Sequence, residues 1–464
     1  MKNKKNKNLS LEGKINQFLL GLILLIGFFL RFYRLPQTAA FVGDQGRDYL
    51  VAKEILTKGF LPLVGPQTSI PWVHLGPLFY YFLAFFLWLG KFDPIWPAYG
   101  TAIFGVTAIY LIFKLGKLIS SEKEGLLAAF FYAISPYAVI QARISLHPSI
   151  YPVFVILFLI SLVKIAEANK DIKFWLSFLV ISFLIAIQLH LSAILLILIG
   201  IIFWEKNRLK SFRFLGAFIA GAAIITFYKI IKNSPFTSIF YWWKILGEIF
   251  AYDNSLSTFL ALGILMIGVI EAVRKKQNLI LTSFLVIVPG LTIKNSQAEH
   301  YFNLFLPVVI LGFSLGLSRL WNLNVGRFLV CFISAYFLLT NLNFLIESNY
   351  FSQIYGPGLP SRIRLTEFIV EDAGRNQFSL KRCGPLWDYP STNQNYEYLA
   401  WWLKSKKGIP EKGSGSNQFI YYIFEPPSAW ITKEGCDPEE TVGKQKEVFK
   451  FDLAIVEKMK EGSN

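Results

Sequence analysis

The chain is poor in charge and in the residues soluble enzymes use for chemistry. Only 16% of its 464 residues are charged while 54% are hydrophobic, which excludes an ordinary soluble globular protein. Three cysteines are too few for a disulfide-stapled scaffold, and no Cys-x-x-Cys pair is present. Acids are outnumbered by bases, 30 to 46, and there are only four histidines, so an acid or histidine in an unexpected place is informative. The sequence also lacks a Walker loop, a Rossmann glycine pattern and an internal repeat.

What it has in abundance is apolar runs. They fall at about residues 17–32, 95–113, 125–142, 149–165, 174–189, 191–204, 214–231, 257–273, 279–293, 301–318 and 328–345. Many approach the roughly 20 residues of a spanning helix, giving an all-α polytopic membrane protein of about eleven transmembrane helices. The first run is long and lacks a small-residue cleavage site, so it is read as a retained span. The net charge of +16 sits in short loops between runs, a pattern of membrane topology and anionic lipid contact that excludes nucleic acid as the partner.

By the positive-inside rule the basic start, residues 1–16, is cytoplasmic. The cationic loops Lys114–Lys123, Lys164–Lys173, Glu205–Arg213, Arg274–Lys276 and Arg319–Arg327 all fall inside only if Leu78–Leu89 does not cross. That apolar segment is therefore read as re-entrant or interfacial. Loops 34–94, 143–148, 232–256 and 294–300 then lie outside.

Residues 17–345 form the membrane domain, and residues 346–464 turn polar and rich in Gly, Pro and Lys. Helical patterns near Arg362–Asp372 and Asn395–Lys404, with β-like runs at Phe419–Phe424 and Val448–Leu453, predict a small α/β extracytoplasmic C-terminal domain. Cys383 and Cys436 both lie there, as a disulfide or as two free thiols.

The exterior loops carry the unusual residues. In the first, FVGDQGRDYLVAKEIL (Phe41–Leu56) predicts a short amphipathic helix at the membrane surface, with Asp44 as N-cap and Gly59 as stop. It holds Asp44, Arg47 and Asp48, with His74 further on. The loop at 143–148 holds Arg143 and His147, and the loop before the tenth run holds Lys294, Glu299 and His300, followed by Tyr301. Singly, each has a bland role. Arg143 and Lys294 can snorkel to headgroups, an interfacial histidine can be a surface hydrogen-bonder, and Asp48 and Glu54 can pair with Arg47 and Lys58.

Together, one acid and several cations on the same side suit transfer from a lipid phosphate. The phosphate leaving group gains negative charge that cations stabilise, while the acceptor hydroxyl needs a base.

The order of these features resembles the GT-C-type glycosyltransferases. The features are a basic start, one span, a long exterior loop with an early Asp, His-x-Gly-Pro-Leu-x-Tyr-Tyr at His74–Tyr81, and Glu-His-Tyr-x-x-x-x-Leu-Pro at Glu299–Pro307. The nearest branch is that of protein O-mannosyltransferases and lipid A aminoarabinose transferases, phospholipid carrier-dependent enzymes; the resemblance covers roughly residues 15–320. It implies a GT-C-like membrane domain, a polyprenyl-phosphate-linked sugar as donor, and an inverting transfer to a glycan, lipid or protein acceptor.

The resemblance places Asp44 as base and His74, Arg143, His147, Lys294, His300 and Tyr301 at the substrate or phosphate; Arg47 is a further phosphate candidate, and Asp48 and Glu299 are second-acid candidates. Many relatives have an Asp in the second exterior loop, which this chain lacks, and Gln45 stands where some carry a second acid. The expected chemistry is accordingly metal-independent and needs no cofactor. A flippase or exporter of lipid-linked saccharides, and a glycan polymerase or ligase, remain alternative readings.

Overall fold

The computed structural model describes residues 2–460 apart from 69, 71, 168–170, 209–234, 252–253, 295–298, 348–355, 384–390, 412–417, 426–445 and 452–453. In chain order the helices are α1 (Lys2–Phe32), α2 (Leu35–Thr38), α3 (Gly43–Lys58), α4 (Leu78–Leu89), α5 (Trp96–Ile119), α6 (Glu122–Ile134), α7 (Pro136–Ala142), α8 (Tyr151–Ala166) and α9 (Ile172–Leu189). There follow α10 (Ile194–Arg208), α11 (Pro235–Phe250), α12 (Ser255–Arg274), α13 (Asn278–Lys294), α14 (Leu306–Trp321), α15 (Gly326–Glu347), α16 (Leu359–Ala373) and α17 (Gln394–Lys406). The strands are β1 (Gln377–Cys383), β2 (Gln418–Phe424), β3 (Lys446–Phe451) and β4 (Ala454–Lys460).

The chain is a multi-pass membrane protein. Among the described residues six helices are long and apolar enough to cross a bilayer, or seven if the bent pair α6–α7 counts as one span. Four shorter apolar helices accompany them, Leu78–Leu89 among them. The run at 214–231 lies outside the described residues. The stretch 232–256, expected as an exterior loop, contains α11.

Contacts divide the chain into two compact units. The first comprises residues 1–33, 101–142 and 147–347 and is helical. Its core includes Phe131, Phe250, Phe313 and Phe337, with ring centroids 4.3 to 6.4 Å apart.

Pro136 cannot donate a backbone hydrogen bond, and the α6–α7 run bends there by 63°. The buried Arg31 donates to the carbonyls of Tyr132 and Ala133 at 3.3 and 3.0 Å, and Asn341 donates to Ile134 at 3.0 Å. Buried carbonyls left by the break thus find partners.

Three cationic loops of this unit, 114–123, 274–276 and 319–327, gather at one end of α14. Lys275 reaches Glu124 at 3.5 Å, Lys123 donates to Asn322 at 3.3 Å, and Arg319 lies 4.0 Å from Glu271. The turns carrying His147, His190 and His300 gather at its other end. Such segregation is what the charge pattern of the loops requires.

The second unit comprises residues 34–100, 143–146 and 348–464. Its sheet runs β1-β2-β4-β3, with β1 parallel to β2 and the other pairs antiparallel. α17 makes the crossover that a parallel pair needs. Leu365, Ile369 and Ala373 of α16 pack with Tyr396 of α17 on Tyr421, Ile423, Ala454 and Val456 of the sheet.

Beside this core Glu425, only 1% exposed, accepts from Arg362, Arg382 and the Tyr396 hydroxyl at 2.6 to 3.0 Å. Burial opposes its charge, yet the two guanidiniums hold its carboxyl below the ordinary range. Cys383 is disulfide-bonded, Cys331 is a free thiol, and Cys436 lies outside the described residues.

Candidate functional site

The amphipathic helix expected in the first loop is α3, and it ends at Gly59, whose φ of 67° is left-handed backbone that glycine adopts readily. Its start differs from the reading. Val42 is the N-cap, and the side chain of Gln45 accepts from the Val42 backbone N–H at 3.0 Å. Asp44 sits in the first turn, where the helix dipole favours its charge and capping does not occupy it. Gln45 is also tethered from its other end, donating to Ser145 at 2.8 Å. Ser145 shares a short hydrogen bond with the buried Tyr49 hydroxyl.

Around Asp44 the structure assembles a compact polar cluster. Arg47 donates through Nη1 to Asp44 Oδ1 at 3.1 Å and through Nε to Asp48 Oδ1 at 2.8 Å. Ser391 donates through its hydroxyl to Asp44 Oδ1 at 2.6 Å. The Asp44 side chain is 49% exposed, whereas that of Asp48 is fully buried. Among the described residues no hydrogen bond reaches Asp48 Oδ2.

Burial opposes the Arg47 charge, but the Asp48 and Asp44 carboxylates outweigh it and the guanidinium holds its proton more firmly than usual. Burial also pushes the Asp48 carboxyl up to about 6, against the opposing pull of Arg47.

That shift has a definite sign. An acid whose folded pKa exceeds its unfolded one binds more protons when folded. Stability therefore falls as pH rises from about 4 to about 6, by up to about 3 kcal/mol, and is flat above. Asp48→Asn is expected to remove this slope, as read from unfolding midpoints between pH 4 and 8; parallel curves for the two proteins would refute it.

Arg143, buried in the same unit, donates to the Thr38 hydroxyl, and burial lowers its pKa to about 10, so it stays charged at neutral pH. His74 is exposed and forms an isolated antiparallel bridge with Gln67. Glu54 pairs with Lys58 at 2.7 Å, which is the bland role weighed for it.

The remaining candidates lie in the helical unit. His147 donates through Nδ1 to the Leu189 carbonyl at 2.7 Å, which leaves Nε2 as the acceptor of the neutral ring. His190 Nδ1 accepts from the Ser192 backbone N–H at 3.2 Å, so its own ring proton sits on Nε2. The His190 ring is 4.6 Å from Tyr301, 5.3 Å from His300 and 6.4 Å from His147. Asn303 ties these turns together by donating to the Pro148 carbonyl at 2.9 Å. Lys294 is the last residue of α13 and Glu299 opens the turn Glu299–Asn303, but the side chains of both fall outside the described residues.

Three residues that contact the candidates or Gln45 carried no expectation as site residues. His190, between the apolar runs 174–189 and 191–204, is the hub of the histidine cluster. Ser145 and Ser391 gave no signal at all, because a lone serine in a loop has none.

Residues 74–231 match the sequence family described as dolichyl-phosphate-mannose-protein mannosyltransferase. No curated protein matches the sequence. Among solved structures, ArnT from Cupriavidus metallidurans in the apo state is similar with a TM-score of 0.61 at 11% identity, over 97% of this chain and 98% of that one. The same protein bound to undecaprenyl phosphate gives 0.54 at 12% identity, over 95% and 97%. The Archaeoglobus fulgidus oligosaccharyltransferase tethered to an acceptor peptide gives 0.54 at 13% identity, over 88% and 68%. At these identities the likeness is one of fold.

Proposed function

We propose, on the premise that the chain has the GT-C fold of these glycosyltransferases, that it transfers a sugar from a polyprenyl-phosphate donor to an acceptor hydroxyl outside the cytoplasm. The observation that carries this reading is the half-exposed Asp44 carboxylate, fixed on a rigid helix beside a cation and left out of the cap.

In the proposed step Asp44 takes the proton of the acceptor hydroxyl as its oxygen bonds to the anomeric carbon. The bond from that carbon to the phosphate oxygen breaks, and the polyprenyl phosphate leaves with the electron pair. Displacement in one step inverts the anomeric centre. The growing charge on phosphate calls for cations, for which Arg47 and the desolvated Arg143 are suited. His74, His147, Lys294, His300 and Tyr301 are assigned to the phosphate by their match to the family pattern.

The residue after Asp44 is Gln45, a neutral amide engaged by Val42 and Ser145, and the step is written without a metal. The disulfide at Cys383 supports an extracytoplasmic tail, where oxidising conditions preserve such bonds.

The test uses purified protein in vesicles with radiolabelled undecaprenyl-phosphate-linked pentoses and hexoses. Release of undecaprenyl phosphate with label on an acceptor is the expected result. Movement of label between leaflets without release would mean a carrier and would overturn the reading.

A further inference from the structure

Asp44 lies at the start of the first exterior segment, yet one of its two hydrogen-bond donors comes from 347 positions further along the chain. Ser391 Oγ–H donates to Asp44 Oδ1 at 2.6 Å, and Arg47 Nη1 donates to the same oxygen at 3.1 Å. Among the described residues no hydrogen bond reaches Oδ2. Two fixed donors on Oδ1 set the rotation of the carboxylate and present its other oxygen outward.

The approach is built into the sequence of α3. A Cβ on Gly43 would lie 2.3 Å from the Ser391 carbonyl oxygen, and one on Gly46 would lie 2.1 Å from the Asn395 backbone nitrogen. Only glycine lets segment 391–395 touch the helix at these places. Asn395 closes the contact by donating to the Phe41 carbonyl at 2.9 Å, and Tyr49, Phe41 and Tyr398 pack edge to face beside it. The Ser391 backbone is therefore held from several directions. Ser391 is itself buried, whereas the Asp44 side chain is half exposed.

We propose that Ser391 is a positioning residue of the transfer reaction. It fixes the Asp44 carboxylate so that Oδ2 faces the acceptor hydroxyl, and segment 391–395 is the wall of the site behind the base. This rests on the reading of Asp44 as base. Preorganising a base in one orientation raises the rate of proton removal and leaves donor binding alone.

The test is spectroscopic and kinetic, on the full-length protein in detergent. The carboxylate infrared band that Asp44→Asn removes identifies the Asp44 group. In Ser391→Ala this band is expected to shift, and in Ser391→Thr, which keeps the hydroxyl, to return. With undecaprenyl-phosphate-linked sugar as probe, Ser391→Ala should lower kcat by roughly tenfold to a hundredfold, the effect of one charge-assisted hydrogen bond. The donor KM should stay within about twofold, and Ser391→Thr should restore kcat.

Ser391→Gly serves as a second donor-free variant if the Ala protein does not fold. An unmoved band, or an unchanged kcat, in a folded donor-free variant overturns the inference. If Asp44→Asn abolishes transfer while the Ser391→Ala band stays put, the base assignment stands and this inference falls. Full transfer by Asp44→Asn fells both.

Discussion

Replacing Asp44 by Asn is expected to cut sugar transfer by roughly a hundredfold to ten-thousandfold, the span that one general base contributes. The protein should still fold. Asp44 is about half exposed, is not the N-cap, and an Asn oxygen at that place can accept from both Arg47 and Ser391. The unfolding midpoint should therefore move little, since surface replacements away from caps and cores shift stability by about 0.5 kcal/mol or less. The check is release of undecaprenyl phosphate from a linked sugar, measured beside the unfolding midpoint. Transfer at the wild-type rate would sink the base assignment.

The largest expected effect on stability lies elsewhere. Glu425→Leu leaves Arg362, itself 1% exposed, without its carboxylate partner in the same buried place. Removing one member of such a pair costs about 3–5 kcal/mol, because the remaining charge stays desolvated. The C-terminal fold should unfold at markedly lower temperature or denaturant, with Glu425→Gln intermediate. Acid should act in the same direction. A carboxyl held below its usual range contributes stability above the unfolded pKa, and that contribution is lost as pH falls through the folded one. A Glu425→Leu protein as stable as the wild type would show that the two arginines find other partners.

Much of the fold was legible because periodicity is local. The Phe41–Leu56 helix, its Gly59 stop, the two tail helices and the strand at Phe419–Phe424 follow from patterns within a dozen residues. What was misread depends on distant partners. Asp44 looked like a cap because its type suits one; the cap position went to Val42, with a Gln45 amide that Ser145 anchors from about a hundred residues on. β1, with the alternating sequence QFSLKRC, was overlooked because it is short and its outward positions Gln377, Ser379 and Lys381 are polar, and β4 because Glu and Lys interrupt it.

α11 falls in 232–256, which the parity of the spans placed between two of them as a loop. The break at Pro136 was readable from the proline alone, whereas the arginine that satisfies it sits on another helix. In the candidate site the charged members of α3 stood out by contrast with apolar flanks, and the serines did not.

The three-part build of the second unit also bears on how the protein is made. A chain emerging from the ribosome delivers α3 long before Ser391 and Asn395 exist, so the glycine face of that helix waits, uncovered, through nearly all of synthesis. Asp44 and Ser391 meet only late in translation. A ribosome that stalls before Ser391 therefore yields a membrane-inserted chain whose Asp44 has never met its serine.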